Sequence, residues 1–273
     1  MATRVIDDTK LQNIAVAIQS KDNGGQMTVD EMAGRIDNIN NSPPVFEQIV
    51  NQTATGVVAS RDVKHLLTHM FCENTSVVGV ILNSNPLYIG GAPMTRSPER
   101  MFDDCSNLKF VIMPHLAVEN NNSLGGYVFL NCENLKLIVL NTMGRTPQGS
   151  VYAGANSVKN FVIPNDIVIP LNNTVTFINS AISNGTCNLY VPDSLKESYK
   201  TATNWSVYAN QFMGYSEAPN YETDVIYTIG DLCKYDNKLY AWINETDGNS
   251  TPFGEIDDHD DWYCIAEIEE GWY

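Results

Sequence analysis

The sequence predicts an α+β protein of several domains: an N-terminal helical module, a stack of repeats forming a short β solenoid, and a small C-terminal all-β domain. Three observations support this prediction. Apolar residues recur at helical spacing in the first forty positions. One aromatic-to-apolar pattern occurs four times between residues 70 and 163. Short aromatic runs separated by turn residues follow Pro219. We place the three modules at residues 1–42, 43–214 and 219–273.

The first module is predicted to contain two amphipathic helices. Apolar residues of the first helix follow the i, i+3, i+4, i+7 pattern, at Leu11, Ile14, Ala15 and Ile18. The second helix begins near Thr28, three residues before Glu31, which is the spacing of a capping box. Two short helices bury little apolar surface by themselves. We therefore expect this module to pack in a larger assembly, with other copies of the chain or the repeat domain as alternatives.

The repeat joins an aromatic anchor to a strand-like apolar run. The anchors are spaced 31, 27 and 23 residues apart, at Phe71, Phe102, Phe129 and Tyr152. Neither the turn nor the strand of one copy could bury its apolar side alone, so we expect the copies to stack. Cys105 and Cys132 occupy the same place in successive copies. They are expected to form a ladder of small buried residues, with a disulfide between neighbouring copies as the alternative.

Phe102 to Lys109, with its small Cys105 and its Asn-Leu-Lys core before an apolar run, resembles the leucine-rich repeats named after the BspA surface proteins. The segment from Leu189 to Ser206 is similar to the way such arrays close, with a strand, a proline and a capping helix. The resemblance covers roughly residues 65–212. It implies a leucine-rich-repeat-like solenoid that serves as a scaffold for binding surfaces.

The C-terminal module reads as two strands joined by the Asp236-Asn237 turn, followed by a later strand that contains Trp262. Its order of aromatic and turn residues resembles small carbohydrate-binding modules found on chitinases and on some phage tail proteins. An exposed ring can pack against sugar C–H groups while nearby carboxylates and amides accept hydroxyl protons. The candidate glycan-binding residues are Tyr240, Trp242 and Trp262. The alternative is that these rings fill the core, because one face of each strand must point inward.

The N-terminal pattern with its Gly24-Gly25 break resembles the first segment of tail and fibre-like structural proteins from phages of Gram-positive bacteria. This resemblance implies contacts with other virion proteins through the N-terminal helices. The first residues show neither the apolar core nor the cleavage site of a secretory signal. Cellular surface proteins with BspA-like repeats are exported, whereas a virion protein needs no export signal. The expected location is therefore the virion, assembled in the host cytoplasm.

The charge of the chain excludes several partners. The formal net charge is −16, and residues 219–273 account for −12 of it with fourteen Asp or Glu and two Lys. So acidic a chain is not expected to bind nucleic acid or an anionic membrane electrostatically. No run approaches the roughly 18 apolar residues of a membrane span. The acidic residues 255–261 suggest calcium, but their spacing departs from the EF-hand loop and a solvated loop is the alternative.

The sequence contains no motif that predicts catalysis. It lacks a phosphate-binding glycine loop, GxSxG and HExxH, and His65 and His69, on a predicted helix over 64–70, have no third metal ligand. We expect no enzyme, no metal and no cofactor, with a tail-associated depolymerase as the enzymatic alternative. We expect the chain to be a structural protein of a phage virion, of the tail or fibre type, that presents a host-surface glycan-binding module. We also expect it to form a homo-oligomer, whose several copies bind a repeated glycan through avidity. Two competing functions are a capsid or baseplate decoration protein without receptor binding and a bacterial cell-surface adhesin.

Overall fold

The computed structural model describes residues 54–61, 63–89, 99–118, 124–142, 150–252 and 261–268. Val45–Tyr273 forms one compact unit. In chain order the strands of the described residues are β1 (Gly56–Ser60), β2 (Val77–Leu82), β3 (Leu87–Ile89), β4 (Phe110–Met113), β5 (Leu116–Val118), β6 (Leu137–Leu140), β7 (Asn160–Val162), β8 (Asn188–Val191), β9 (Phe212–Gly214), β10 (Leu232–Tyr235), β11 (Lys238–Trp242) and β12 (Trp262–Glu267).

These strands form three sheets. The largest is a seven-stranded parallel sheet in the order β1-β2-β4-β6-β7-β8-β9. Strands β3 and β5 pair in parallel beside it, and β10, β11 and β12 form an antiparallel sheet. We call the seven-stranded sheet and the turns that stack beside it the repeat stack. Each of the four sequence repeats contributes one strand, β2, β4, β6 or β7, so neighbouring copies lie side by side.

The aromatic anchors stack in a continuous ladder. The ring centroids of Phe71 and Phe102 lie 5.1 Å apart, those of Phe102 and Phe129 lie 5.3 Å apart, and those of Phe129 and Tyr152 lie 5.1 Å apart. Phe177, which belongs to a copy that the sequence pattern did not reveal, lies 5.1 Å from Tyr152 and extends the ladder. Every ring of this ladder is at most 1% exposed. No single copy could bury its own aromatic ring, and the neighbouring copies therefore cover it.

Backbone hydrogen bonds join each copy to the next at a position two residues after the anchor. The N–H groups of Glu73, Asp104, Asn131 and Gly154 donate to carbonyl oxygens of the following copy at 2.7–3.2 Å. All four residues have a positive φ, between 56° and 83°. Glycine, asparagine and aspartate tolerate this left-handed conformation best, which explains their use in three of the copies.

The asparagine that precedes the strand in two of the copies also connects copies. Asn107 donates from Nδ2 to the carbonyl oxygen of Thr75, and Asn134 donates from Nδ2 to that of Ser106, both at 2.7 Å. The sequence predicted a turn former at this position. The structure shows in addition that its side chain bonds to the preceding copy, so each asparagine satisfies a carbonyl group of its neighbour.

The cysteine ladder is present as buried thiols. Cys105 donates from Sγ to the carbonyl oxygen of Phe71, and Cys132 donates to that of Phe102, both at 2.9 Å. Both residues are fully buried, and neither forms a disulfide. Desolvation raises the pKa of the Cys105 thiol to about 12 and that of Cys132 well above its ordinary value of 9.0. The disulfide alternative is therefore wrong, and these thiols are packing residues.

Alkaline pH is expected to destabilise the fold through groups whose neutral form is buried. Burial also raises the pKa of Tyr199 to about 12. Between about pH 9 and pH 12 the folded chain keeps protons on Cys105 and Tyr199 that the unfolded chain loses. The contribution to stability is thus complete below about pH 9 and is lost as the pH rises. We expect the unfolding temperature to fall between pH 8 and pH 11, and to fall less steeply in the Cys105→Ala variant. An unfolding temperature that stays constant over this range would contradict the raised pKa values of these buried groups.

The parallel sheet is apolar on both faces. Successive side chains of a strand point to opposite sides. One face packs on the aromatic ladder, through Val111, Met113, Ile138 and Leu140. The other face packs on the C-terminal antiparallel sheet, through Phe110, Ile112, Leu137, Val139 and Val162. The strands therefore read as continuous apolar runs because both of their faces are covered.

Polar contacts fix the antiparallel sheet on the repeat stack. Asn160 donates from Nδ2 to the carbonyl oxygen of Gly230 at 2.8 Å. The hydroxyl group of Tyr263 donates to Oδ1 of Asn83 at 3.2 Å. Gly230 has a φ of +89°, and a Cβ atom there would lie 2.7 Å from Cβ of Lys136. This close approach of the two sheets requires a glycine.

The predicted fold class, an α+β multidomain protein, is wrong. The described residues contain one α-helix, α1 (Lys196–Thr201), and short 3-10 segments at Thr174–Phe177, Asp193–Leu195, Ser206–Gln211 and Tyr215–Glu217. The architecture is a mostly parallel seven-stranded sheet with an antiparallel sheet packed on it, and the C-terminal strands share a core with the repeats instead of forming a separate all-β domain. The predicted helical module at 1–42 lies outside the described residues, and the boundaries of the three modules stay a prediction.

Candidate functional site

The three aromatic residues predicted to bind glycan lie in the core. Tyr240, Trp242 and Trp262 are each 2% exposed. The Trp262 ring lies 5.0 Å from that of Trp242 and 4.7 Å from that of Tyr227, in edge-to-face contacts. Desolvation raises the pKa of the Tyr240 hydroxyl group. The structure uses these rings for packing, the alternative that the strand pattern had left open, and presents none of them as a stacking surface for a sugar.

Loops cover the face of the antiparallel sheet that carries Trp242 and Trp262. The sequence pattern did not indicate that these loops contact the tryptophans. The indole Nε1 of Trp262 donates to the carbonyl oxygen of Ser250 at 2.7 Å. A Cβ atom at Gly248 would lie 2.9 Å from the ring of Trp242, so the loop packs closely on the indole. Tyr221 closes the remaining side, 6.4 Å from Trp262. Among the described residues, both faces of the antiparallel sheet are therefore covered at Trp242 and Trp262.

Neither metal hypothesis gains a site in the part of the chain that the structure describes. Residues 255–260 of the acidic segment lie outside that part, and the Asp261 carboxylate accepts hydrogen bonds from Asn244 and Ser250. The helix predicted over 64–70 is wrong: His65 stacks on Tyr88, and His69 has a φ of +59°. Within the described ranges no three His, Cys, Asp or Glu side chains are grouped to hold a metal ion.

A groove lies where the C-terminal segment meets the end of the parallel sheet. We call this cavity of about 330 Å³ the junction groove. The groups that line it and could contact a ligand belong to Asn188, Tyr190, Asn220, Glu222, Val225 and Tyr227. The volume falls at the lower end of the range of about 300–1,000 Å³ that is typical of small-molecule sites.

An amide relay positions Asn188 at the edge of this groove. Asn188 donates from Nδ2 to Oδ1 of Asn160 at 3.1 Å, and Asn160 donates in turn to Gly230. These bonds identify the nitrogen of each amide. The side-chain oxygen of Asn188 is therefore the atom left to accept a hydrogen bond from a ligand.

Two tyrosines, Tyr190 and Tyr227, line the junction groove. Tyr227 accepts the backbone N–H of Glu222 at 2.9 Å and retains its own proton for donation. Burial raises the pKa of Tyr227. Burial, followed by the Glu217 carboxylate, raises the pKa of Tyr190. Both hydroxyl groups therefore remain protonated at neutral pH and can donate hydrogen bonds.

The two carboxylates of the groove have different surroundings. Asp231 forms an ion pair with Lys159 at 3.1 Å and accepts both the N–H and the hydroxyl group of Thr228. Glu222 lies exposed at the rim. Asp231 is thus occupied by structural contacts, whereas Glu222 can accept hydrogen bonds from a ligand. Together these groups suit a compact molecule rich in hydroxyl groups.

The residues of the junction groove could not be grouped from the sequence. Asn188 and Tyr190 belong to β8, whereas Asn220, Glu222 and Tyr227 lie in the segment before β10. They are brought together only because the antiparallel sheet packs on the repeat stack. No sequence motif connects these two segments.

Comparison with known proteins finds no match: no family model, no curated protein and no solved structure is similar to this chain. The resemblances of the repeat and of the N-terminal segment therefore depend on the quoted residues alone. Among the described residues, no helix is both long and apolar enough to span a bilayer.

Proposed function

We propose that this chain is a structural protein of a phage virion, of the tail or fibre type, that binds a host-surface glycan in the junction groove. The N-terminal segment contacts other virion proteins, and several copies of the chain act together. One observation carries the ligand class: two tyrosines, an asparagine whose amide nitrogen is already bonded and an exposed glutamate line the same small groove.

These groups match the hydrogen-bonding capacity of a sugar. Each sugar hydroxyl both donates and accepts, so it can donate to Glu222 or Asn188 while accepting from Tyr190 or Tyr227. Hydrogen bonds to an ionised carboxylate are the stronger kind. Val225, which is 37% exposed, offers apolar contact beside them. A groove of this size holds a single sugar unit weakly, and copies on one particle raise the affinity for a repeated glycan through avidity.

The contacts of the groove favour binding over hydrolysis. A glycoside hydrolase of the usual kind needs two carboxyl groups placed on either side of the scissile bond. In the junction groove Asp231 is occupied by Lys159 and Thr228, which leaves Glu222 as the accessible carboxylate among the described lining residues. We therefore propose recognition without bond cleavage.

Binding of the full chain to host material tests the proposal. The double variant Glu222→Gln, Tyr190→Phe removes one charge and one hydroxyl group while keeping the size of both side chains. We expect it to bind cell walls of Gram-positive bacteria and a panel of glycans about tenfold or more weakly than wild type, which corresponds to about 1.4 kcal/mol. Binding is measured with multivalent display of the chain as well as with the free protein.

Glu245→Gln is the matched control, because Glu245 is an exposed carboxylate that follows β11 and lies outside the groove. It should leave binding unchanged. A folded double variant that binds as wild type would exclude the junction groove. Failure of the multivalent wild-type chain to bind any cell wall or glycan would favour the decoration protein without receptor binding.

A further inference from the structure

The repeat stack ends at a second and larger groove. It is a cavity of about 710 Å³ between the last coil, residues 174–185, and the 3-10 segment Ser206–Gln211. We call it the end groove. It shares no lining residue with the junction groove, and its volume lies well within the range of about 300–1,000 Å³ for ligand sites.

The end groove lies beside a coil whose links to a following coil are unused. Asn179, two residues after the anchor Phe177, has a φ of +54° and corresponds to the residues that donate from one copy to the next. It accepts the N–H of Gly154 from the preceding copy at 2.8 Å. Among the described residues its own N–H is bonded to no backbone oxygen of a following coil. The backbone at Asn179 is therefore exposed beside the groove residue Ile178, whereas the ring of Phe177 is covered by Trp205 and Tyr208.

The lining of the end groove is uncharged. Its polar side chains are amides and hydroxyl groups, chiefly of Ser183, Asn184, Asn210 and Gln211. Its exposed apolar side chains are aliphatic: Val175 at 48%, Ile178 at 43% and Val207 at 66%. No described lining residue is acidic or basic, although the chain carries a net charge of −16. An ionic ligand would find no counter-charge here, whereas a neutral molecule with many hydroxyl groups would find donors, acceptors and apolar contact.

One buried atom in this lining lacks a partner. Gln211 donates from Nε2 to the carbonyl oxygen of Ile182 at 3.0 Å, which identifies the other amide atom as the oxygen. That oxygen, Oε1, is buried and accepts no hydrogen bond. Buried polar atoms normally have a hydrogen-bond partner, so a donor is expected for this oxygen. A hydroxyl group of a ligand in the groove would supply one once the Gln211 side chain turns its buried oxygen toward the groove.

We infer that the end groove binds an uncharged oligosaccharide, with a sugar hydroxyl donating to Gln211 and sugar C–H groups packing on Val175, Ile178 and Val207. A peptide fits the lining less well. Peptides are usually held on a strand edge or in a deep apolar groove. The described lining consists of turns and 3-10 segments and includes no residue of a strand. The inference shares its ligand class with the proposed function, and it rests on residues of its own.

Titration of the full chain with neutral oligosaccharides, followed by calorimetry, tests this inference. Val207→Asp places a charge on an exposed side chain of the groove and is expected to lower the affinity at least tenfold. Ile167→Asp is the matched control, because Ile167 is 62% exposed and lies outside the end groove; it should leave the affinity unchanged. Gln211→Met, which removes the unpaired oxygen at similar size, should also weaken binding. A carboxylated oligosaccharide of the same length should bind more weakly than the neutral one.

The same titration in the Glu222→Gln, Tyr190→Phe background separates the two sites. Binding that persists there and is lost on adding Val207→Asp supports the end groove even if the junction groove binds nothing. Neutral oligosaccharides that bind folded Val207→Asp and Gln211→Met as they bind wild type would overturn the inference. A full chain that binds no neutral oligosaccharide would also overturn the inference. The same holds if an uncharged peptide binds in this groove and a sugar does not.

Discussion

Replacing Trp262 by alanine is expected to lower the free energy of unfolding by about 3–5 kcal/mol, the usual cost of removing a buried aromatic side chain. The ring is 2% exposed and packs on Trp242 and Tyr227 at 5.0 and 4.7 Å. Its Nε1 group also satisfies the carbonyl oxygen of Ser250. Urea denaturation followed by fluorescence and circular dichroism measures the change, with the slope against urea concentration used to check that unfolding remains cooperative.

Trp262→Phe keeps an aromatic ring in the core and is expected to cost less than Trp262→Ala. Tyr235→Ala, at an aromatic residue that is 41% exposed, should have a small effect. A Trp262→Ala protein of wild-type stability would show that the indole does not pack as the structure describes. The prediction also bears on binding experiments: a tryptophan variant that loses glycan binding has first to be shown to fold, because its primary defect is expected in the core.

Replacing Phe102 by alanine is expected to lower the free energy of unfolding by a comparable amount, about 3–5 kcal/mol. The ring is fully buried between Phe71 and Phe129, at centroid distances of 5.1 and 5.3 Å. Stacked repeats are stabilised by the contacts between nearest neighbours. The loss of a central ring therefore weakens two interfaces at once and leaves a cavity inside the ladder.

Chemical denaturation of the full chain measures this effect, with Ile167→Ala as the control at a side chain that is 62% exposed. The control should change the free energy of unfolding by no more than about 0.5 kcal/mol. Phe102→Leu should recover part of the loss because it refills some of the cavity. A loss below about 1 kcal/mol in Phe102→Ala would contradict the ladder as the main element that joins the copies.

The aromatic anchors were predictable because their burial follows from local chemistry repeated along the chain. Phe71, Phe102, Phe129 and Tyr152 each precede a similar apolar run, and stacking is the arrangement that buries them all. Phe177 was not predicted because it lies 11 residues before the aligned strand position, Asn188, whereas each of the other anchors lies 8 residues before that position in its own copy. The Phe177 ring packs on Tyr152 because of the position of its copy in the stack. No local sequence pattern indicates this contact.

The fold class was not predictable because it depends on what covers the second face of the parallel sheet. Continuous apolar runs such as β4 and β6 indicate strands that are buried on both sides. They do not identify the covering element. The C-terminal strands read as an independent small domain because their length, aromatic content and turns are sufficient for one. Their apolar residues instead share a core with Phe110 and Leu137 of the repeats.

The candidate site shows the same division. Alternation along β11 predicted that one face of the strand would be buried, and it left open which rings would meet a ligand. Packing of loops on one face and of the repeat stack on the other decided the burial of Tyr240, Trp242 and Trp262. The groups of the junction groove come from two distant segments, and no pattern in either one indicates the other.

The sequence by itself determined the repeated unit, the residues that anchor it and the two buried thiols of the central copies, because each depends on interactions that recur at equivalent positions along the chain. Tertiary structure alone decided that the antiparallel sheet covers the repeats, that the tryptophans are internal and that two grooves remain at the surface. The physical reason is that exposure is a property of what an element packs against. The local sequence indicates which side chains favour burial. Only the packing of the whole chain decides which of those side chains are buried.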